Sequence, residues 1–300
     1  MRQQAGHAGQ PKHNSIKRAA VLYHPKIPAT HALAEQIGSW LEAHGVGAWL
    51  ALSWDEDQVR GALHDTDLII VLGGDGSTLR AARMAAGFAI PLLGVNMGRL
   101  GFLSELTPET WHERLPEVLE GRYWVEERMM LKAEVWRSST LIDEHLALND
   151  VVVSRGALAR VVRLSTEIDG DHLTTYVADG LIISTPTGST AYALAAGGPI
   201  LPPELRNILI QPIAPHLTLD RAIVLSEGTR VRVRVSTDHQ AILTVDGQFE
   251  FEMKDHDCVE VQASEHVSRF VRLGKRTYFY QALLSRLEPR PYDNTTTNTN

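Results

Sequence analysis

Two textures of apolar and polar positions divide the chain near residue 125. Before that point, short apolar runs alternate with helical periods. Ala19 to Tyr23 reads as a buried strand, and His31 to Ala43 carries Leu33, Ile37 and Leu41 on one helical stripe. Leu68–Leu72 and Pro91–Val95 are further apolar runs, each stopped by a glycine-bearing turn, and Ser77–Ala86 suits a helix. Thr107–Leu119 reads as helical, with Thr107 as N-cap and Pro108 in the first turn. Strands alternating with helices predict βαβ units and a parallel sheet.

Beyond residue 125 strand patterns dominate. Leu131–Trp136, Val151–Val153, Val161–Ile168 and Leu181–Ser184 are strand-like. Thr229–Ser236 alternates strictly, with Val231, Val233 and Val235 on one face and Arg230, Arg232 and Arg234 on the other. Ile242–Val245, a turn at Asp246-Gly247 and Phe249–Met253 read as a hairpin. Tyr280–Leu287 returns to a helical period. The expected organisation is an α/β domain over 16–125, a β-rich domain over 126–278, and a segment over 279–293 whose helix packs back on the first domain. The polar ends, 1–15 and 294–300, have too little apolar surface to offset the entropy of ordering.

Composition narrows the class. Apolar residues are 44% and charged residues 22% of 300, ordinary values that exclude a collagenous, coiled-coil or disordered chain. Lys and Arg number 29 against 36 acids, a formal charge of −7, which argues against coating nucleic acid or an anionic membrane. The one cysteine, Cys258, excludes an internal disulfide and fits a reducing cytosol; it reads as a buried strand residue. The histidines show no metal-ligand spacing, so no residue is assigned to a metal. No secretory core and no apolar run near 18 residues is present, so a cytoplasmic, soluble protein is expected.

Two segments carry chemistry. Leu68–Leu72 runs into Gly73-Gly74-Asp75-Gly76-Ser77-Thr78-Leu79-Arg80: a strand, a glycine turn and a helix start. Glycines let a phosphate approach the backbone, and the helix N-terminus favours an anion. An aspartate there repels phosphates unless it binds a metal or takes a proton from an attacking hydroxyl, although it is also an ordinary turn former. The turn is neither a Walker loop nor a G-x-G-x-x-G fingerprint. The second segment runs from Asp179-Gly180 through Ser184, Thr187, Gly188, Ser189 and Thr190 into an alanine-rich stretch with Tyr192. Its hydroxyls and amides suit a ribose or purine edge. Read alone, a Ser/Thr cap before a small-residue helix explains it as well.

Taken together the two segments resemble the NAD kinases of the bacterial ATP-dependent type. Further matching stretches are Gly94–Leu103, Leu148-Asn149-Asp150, Pro212–Leu217 with Arg221, and Asp246-Gly247-Gln248, so the resemblance spans roughly residues 18 to 287. It implies a Rossmann-like parallel sheet with a phosphate turn, followed by a β-rich domain, and an active site where the two domains meet. It also implies transfer of the γ-phosphoryl group of ATP to the 2′-hydroxyl of the adenosine ribose of NAD, with Asp75 as general base. Gly74, Gly76 and Arg80 then contact phosphates or dinucleotide, and Asn149 and Asp150 hold NAD through ribose and nicotinamide groups. Asp179, the segment Thr190, Ala191, Tyr192, Ala193, Leu194 and Ala195, and Ala214, Gln248 and Arg160 match further pocket positions. Val177 departs from the pattern, standing where some relatives place a basic residue on the dinucleotide phosphate. The implied partners are NAD, ATP and a divalent cation such as Mg²⁺, in a homo-oligomer, dimer or tetramer, with no nucleic acid and no membrane. A lipid kinase of the diacylglycerol or sphingosine type sharing the glycine turn, and a non-catalytic dinucleotide-binding regulator, are the alternatives. The resemblance apart, Trp40, Trp49 and Trp54 read as packing residues and His216 as a structural loop histidine. Arg230, Arg232 and Arg234 read as a solvated face that could pair with acids of another subunit.

Overall fold

The computed structural model describes residues 15–98, 101–156 and 160–287. The polar ends up to residue 14, Arg99, Leu100 and residues 288–293 of the expected returning segment lie outside them. The described residues divide into two compact units, the first made of 15–98 with 105–126 and 269–273, the second of 101–104, 127–156, 160–268 and 274–287.

In the first unit the elements follow the alternation. They are β1 (Arg18–Tyr23), α1 (Pro28–Ala43), β2 (Gly47–Leu52), α2 (Glu56–Ala62), β3 (Leu68–Gly73), α3 (Asp75–Ala85), β4 (Pro91–Asn96) and α4 (Trp111–Leu119). The strands pair in parallel in the order β2-β1-β3-β4. Ala19, Val21, Leu68, Ile70 and Leu72 pack with Leu33, Ile37 and Leu41 of α1 in one core. Every residue of β3 is buried, which is why it reads as an unbroken apolar run. Two expectations shift. β2 falls where the sequence shows no strong run, because only partial burial marks this edge strand. The fourth helix begins at Trp111, not Thr107: Pro108–Thr110 form a turn, and the Thr107 N–H donates to Thr110 Oγ1 at 3.0 Å.

The second unit is built from strands. They are β5 (Trp124–Arg137), β6 (Thr140–Ala147), β7 (Asp150–Arg155), β8 (Val162–Ile168), β9 (Asp171–Ala178) and β10 (Gly180–Ser184), then the four-residue helix α5 (Tyr192–Ala195). There follow β11 (Asn207–Ile213), β12 (Ile223–Ser226), β13 (Val231–Ser236), β14 (Ala241–Val245), β15 (Phe249–Met253), β16 (Cys258–Arg272) and α6 (Tyr278–Leu287). One sheet runs β12-β11-β10-β7-β14-β15, antiparallel throughout. The other includes the antiparallel path β16-β13-β8-β9. Leu131, Leu164, Val231 and Val233 from one sheet join Val151, Val153, Leu181, Ile183 and Leu243 from the other in a common core. On the back of β7, β10 and β11, Val152, Ile182 and Leu209 pack with Ala193 of α5. These strands are therefore covered on both faces.

Alternation placed Val231, Val233 and Val235 inside correctly. Two of the three outward arginines are not unpartnered: Arg230 Nε and Arg232 Nε lie 3.2 and 3.3 Å from Glu260 of the same chain. The last helix belongs to the second unit, where the sequence had sent it to the first. Its anchors are Tyr278, whose hydroxyl accepts from Arg128 Nη2 at 2.7 Å, and Phe279, whose ring centroid lies 6.0 Å from that of Phe102.

β5 and β16 pass from one unit to the other. Within the first unit the end of β16 is tied by charge. Arg272, 1% exposed, donates from Nε to Glu126 at 2.9 Å and from Nη1 to Glu105 at 3.4 Å. Glu105 also accepts the Leu273 N–H at 2.9 Å. Removing one partner of such a network strands the others without compensation. Arg272→Met should lower the stability of the first unit by about 3–5 kcal/mol in urea unfolding, and adding Glu126→Gln should restore part of the loss. A single-variant loss within experimental error would show that the network contributes little.

Candidate functional site

In the first unit the site is the turn between β3 and α3. Gly73 closes the strand, and a Cβ there would stand 2.3 Å from Ser77 Oγ and 2.8 Å from Ser77 Cβ. Only glycine permits that approach. Gly74 is the helix N-cap, and its carbonyl accepts the N–H groups of Ser77 and Thr78 at 3.1 and 3.2 Å and the Thr78 hydroxyl at 3.3 Å. Asp75 is consequently the first residue of α3, half-buried at the positive end of the helix dipole, with Gly76 exposed beside it. The helix thus starts two residues before the expected Ser77. Arg80, on the next turn, pairs through Nη1 with Glu56 at 2.9 Å. Gly74, Asp75, Gly76 and Arg80 therefore share one helix start, as their spacing suggested.

In the second unit Asn149 and Asp150 are the centre of a dense network. The Asp246 carboxylate accepts the N–H groups of Leu148, Asn149 and Asp150 at 3.1, 2.7 and 3.2 Å. In return the Asp246 N–H donates to the Asp150 carbonyl at 2.9 Å. The Asn149 carbonyl accepts from the Thr185 N–H at 2.9 Å and from Ser184 Oγ at 3.1 Å. Thr185 Oγ1 donates to the Leu148 carbonyl at 2.6 Å and accepts the Gly188 N–H at 3.1 Å. A Cβ on Gly188 would lie 2.2 Å from the Asn149 carbonyl oxygen, so the hydroxyl-rich segment can pass only as glycine. Asp246 sits in the β14–β15 turn at φ 51°, a left-handed conformation that aspartate tolerates. The sequence read it as a turn former; that its carboxylate holds residues 98 or fewer positions upstream is a tertiary fact no local pattern carries. Gln248 closes the same turn, its N–H on the Val245 carbonyl at 2.9 Å.

The remaining positions are less tightly joined. Asp179 carries a two-point ion pair with Arg155, Nε to Oδ1 at 2.9 Å and Nη2 to Oδ2 at 3.2 Å. Thr190 lies in a 3₁₀ turn with its hydroxyl on the Thr187 carbonyl at 3.1 Å. In place of a longer alanine helix, Tyr192–Ala195 form a single turn: Ala193 is buried, Leu194 half-buried, and Ala191, Tyr192 and Ala195 exposed. Ala214 is exposed at φ 43°, and the neighbouring His216 N–H donates to the Val177 carbonyl at 2.7 Å. Arg160 is exposed and touches His239 and Asp238.

Burial, with the negative charge of Asp246 second, pushes the Asp150 carboxyl up from 3.8 to about 7. A folded-state value above the unfolded one means that Asp150 stabilises the fold fully below about 3.8. This contribution shrinks as pH rises and is gone above about 7. Asp150→Asn has no such titration. The stability of the variant relative to wild type should therefore rise between about pH 4 and about pH 7 and level off above that in paired urea titrations, and a pH-independent difference would refute the shift.

Comparison with known proteins agrees across both units. Residues 14–123 match the family described as ATP-NAD kinase N-terminal domain, and residues 148–273 match ATP-NAD kinase C-terminal domain. The chain is 40% identical over 272 residues to the NAD kinase of Chloroflexus aggregans, covering 91% of this chain and 99% of that protein. It is 38% identical over 273 residues to that of Dehalococcoides mccartyi, covering 91% and 96%. Among solved structures it resembles an Archaeoglobus fulgidus NAD kinase in complex with ATP, at TM-score 0.73 and 28% identity over 89% of this chain and 97% of that one. In fold it resembles yeast NADH kinase complexed with NADH, at TM-score 0.82 and 24% identity over 96% and 91%. The similarity runs through both units and not merely through the glycine turn that other kinases share, and this chain belongs to the NAD kinase family.

Proposed function

We infer that the chain phosphorylates NAD at the 2′-hydroxyl of its adenosine ribose with ATP, and that Asp75 is the base. The observation that carries the base assignment is the place of Asp75 at the first position of α3. A carboxylate fixed there by the Gly73 close approach and the Gly74 cap is held at a helix N-terminus that favours phosphate. A ribose hydroxyl is not ionised at neutral pH, so a positioned carboxylate that accepts its proton as the phosphorus–oxygen bond forms accelerates transfer. The γ-phosphoryl group leaves ADP, and the proton goes to Asp75.

Asn149 and Asp150 are the proposed NAD clamp. The Asp246 carboxylate and the Ser184–Gly188 segment fix their backbone before any ligand arrives, which lowers the ordering cost of binding. Asp179 is tied to Arg155, so its role in this reading is to hold the start of β10 as well as to border the pocket. Among the described residues no group of three or more His, Cys, Asp or Glu side chains could cage a metal. A Mg²⁺ arriving on the phosphates of ATP would need no such cage, since Mg²⁺ keeps several waters and takes one or two carboxylates with substrate oxygens. Such an ion would supply charge neutralisation of the donor's phosphates. A cytosolic homo-oligomer belongs to the same proposal, supported by the family resemblance. None of the helices is long and apolar enough to cross a membrane, among the described residues.

Asp75→Asn should keep NAD affinity in calorimetry while kcat falls about 10²- to 10⁴-fold in an assay of NADP formation. Retention of near-wild-type kcat would remove Asp75 from the role of base.

A further inference from the structure

Beside the glycine turn the first unit carries an aromatic and basic cluster. Trp54 lies between β2 and α2 and is 43% exposed. Lys26 Nζ stands 4.8 Å from its ring centroid and Arg80 Cζ 5.5 Å. The His24 ring meets it edge-on at 5.4 Å. His24 borders the turn itself, since a Cβ on Gly73 would lie 3.9 Å from His24 Cβ. The cluster is thus continuous with the turn that carries Asp75.

It is also held rigidly. Thr30, fully buried in the first turn of α1, accepts the His24 N–H at 3.1 Å and donates to the carbonyls of His24 and Ile27 at 3.0 and 2.6 Å. The Lys26 N–H donates to His24 Nδ1 at 3.1 Å. Asp55 caps α2 by accepting the Gln58 N–H at 3.2 Å, fixing the segment that bears Trp54, and Glu56 fixes Arg80. The strand order β2-β1-β3-β4 places this group where a ligand is expected. The chain runs outward from β1 to β2 and then back across to β3, so the order reverses between β1 and β3, and open parallel sheets bind ligands beyond the carboxyl ends at that reversal. His24 and Lys26 follow β1, Trp54 follows β2, and Asp75 follows β3.

We propose that Trp54 is a positioning residue that holds Lys26 and Arg80 against its ring as a paired cationic grip on the triphosphate of the phosphoryl donor. The proposal rests on the reading of this chain as an ATP-dependent kinase and adds Lys26 and Trp54 to the donor subsite. The ring holds Lys26, and together with Glu56 holds Arg80, before phosphate arrives, which lowers the side-chain entropy lost on binding. The grip reads phosphate charge and not the base, because the cations lie against the ring on which a purine would need to stack.

The test is calorimetric titration of wild type, Trp54→Ala, Trp54→Phe and Lys26→Gln with ATP and, separately, with inorganic tripolyphosphate. Trp54→Ala and Lys26→Gln should each weaken both ligands by the same factor, about three- to tenfold, with NAD affinity unchanged. Trp54→Phe should recover most of the Trp54→Ala loss. Unchanged binding of both ligands would overturn the proposal, and so would a loss for ATP with none for tripolyphosphate, which would assign Trp54 to the base. Thermal unfolding of each variant identifies any loss caused by misfolding, and Lys26→Gln, an exposed substitution, keeps the test independent of Trp54. Because binding is read without turnover, failure of wild type to form NADP would strike the kinase reading and leave this result separately legible.

Discussion

A strand covered on both faces can show polar chemistry only at its ends, and both candidate sites of this protein obey that constraint. In the first unit β3 is buried along its whole length, so its first polar opportunity is the turn at Gly73 and Gly74. In the second unit β7 and β10 bury Val151, Val153, Leu181 and Ile183 on one face and Val152 and Ile182 on the other. Their polar chemistry lies at Asn149, Asp150, Ser184 and Thr185, where the strands begin or stop, and of these only Asn149 is partly exposed. An unpaired backbone group in such surroundings costs about as much as a lost hydrogen bond, so the ends must be satisfied by caps, carboxylates or ligands.

The two ends solve that problem differently. At the first, a helix begins immediately, and the Gly74 carbonyl is consumed by the next turn of α3. Asp75 is left at the helix start, where its charge complements the dipole. At the second, no long helix follows β10; the amides of Leu148, Asn149 and Asp150, where β7 begins, are gathered by one carboxylate from the β14–β15 turn. Burial first, and that carboxylate second, raise the pKa of Asp150 to about 7. The contact that gathers these amides also adds, second to burial, to the upward shift of the Asp150 carboxyl.

Local pattern carried far where one side chain period or one turn decides the outcome. The apolar runs at β1, β3, β4, β7 and β10, the stripe on α1, the alternation on β13 and the β14–β15 hairpin were all legible. Elements whose burial depends on distant partners were not. β2, β9 and β12 are partly exposed along much of their length, so their hydrophobic signal is diluted. Thr107 looked like an N-cap, yet its N–H and carbonyl are used in a turn that delays α4 to Trp111. The final helix looked free to return to the first unit, but Phe102 and Arg128 anchor it in the second.

By itself the sequence determined the family, the glycine turn and the identity of Asp75, because close backbone approach and a helix start depend on residues adjacent in the chain. It also exposed Asn149 and Asp150 as a motif. Only the tertiary structure decided that Asp246 organises them, that Asp179 is paired with Arg155, and that Arg230 and Arg232 share Glu260. It alone showed Lys26 and Arg80 against one exposed ring. These are meetings of charges far apart in sequence, and such meetings are set by strand order and burial, which no short segment encodes.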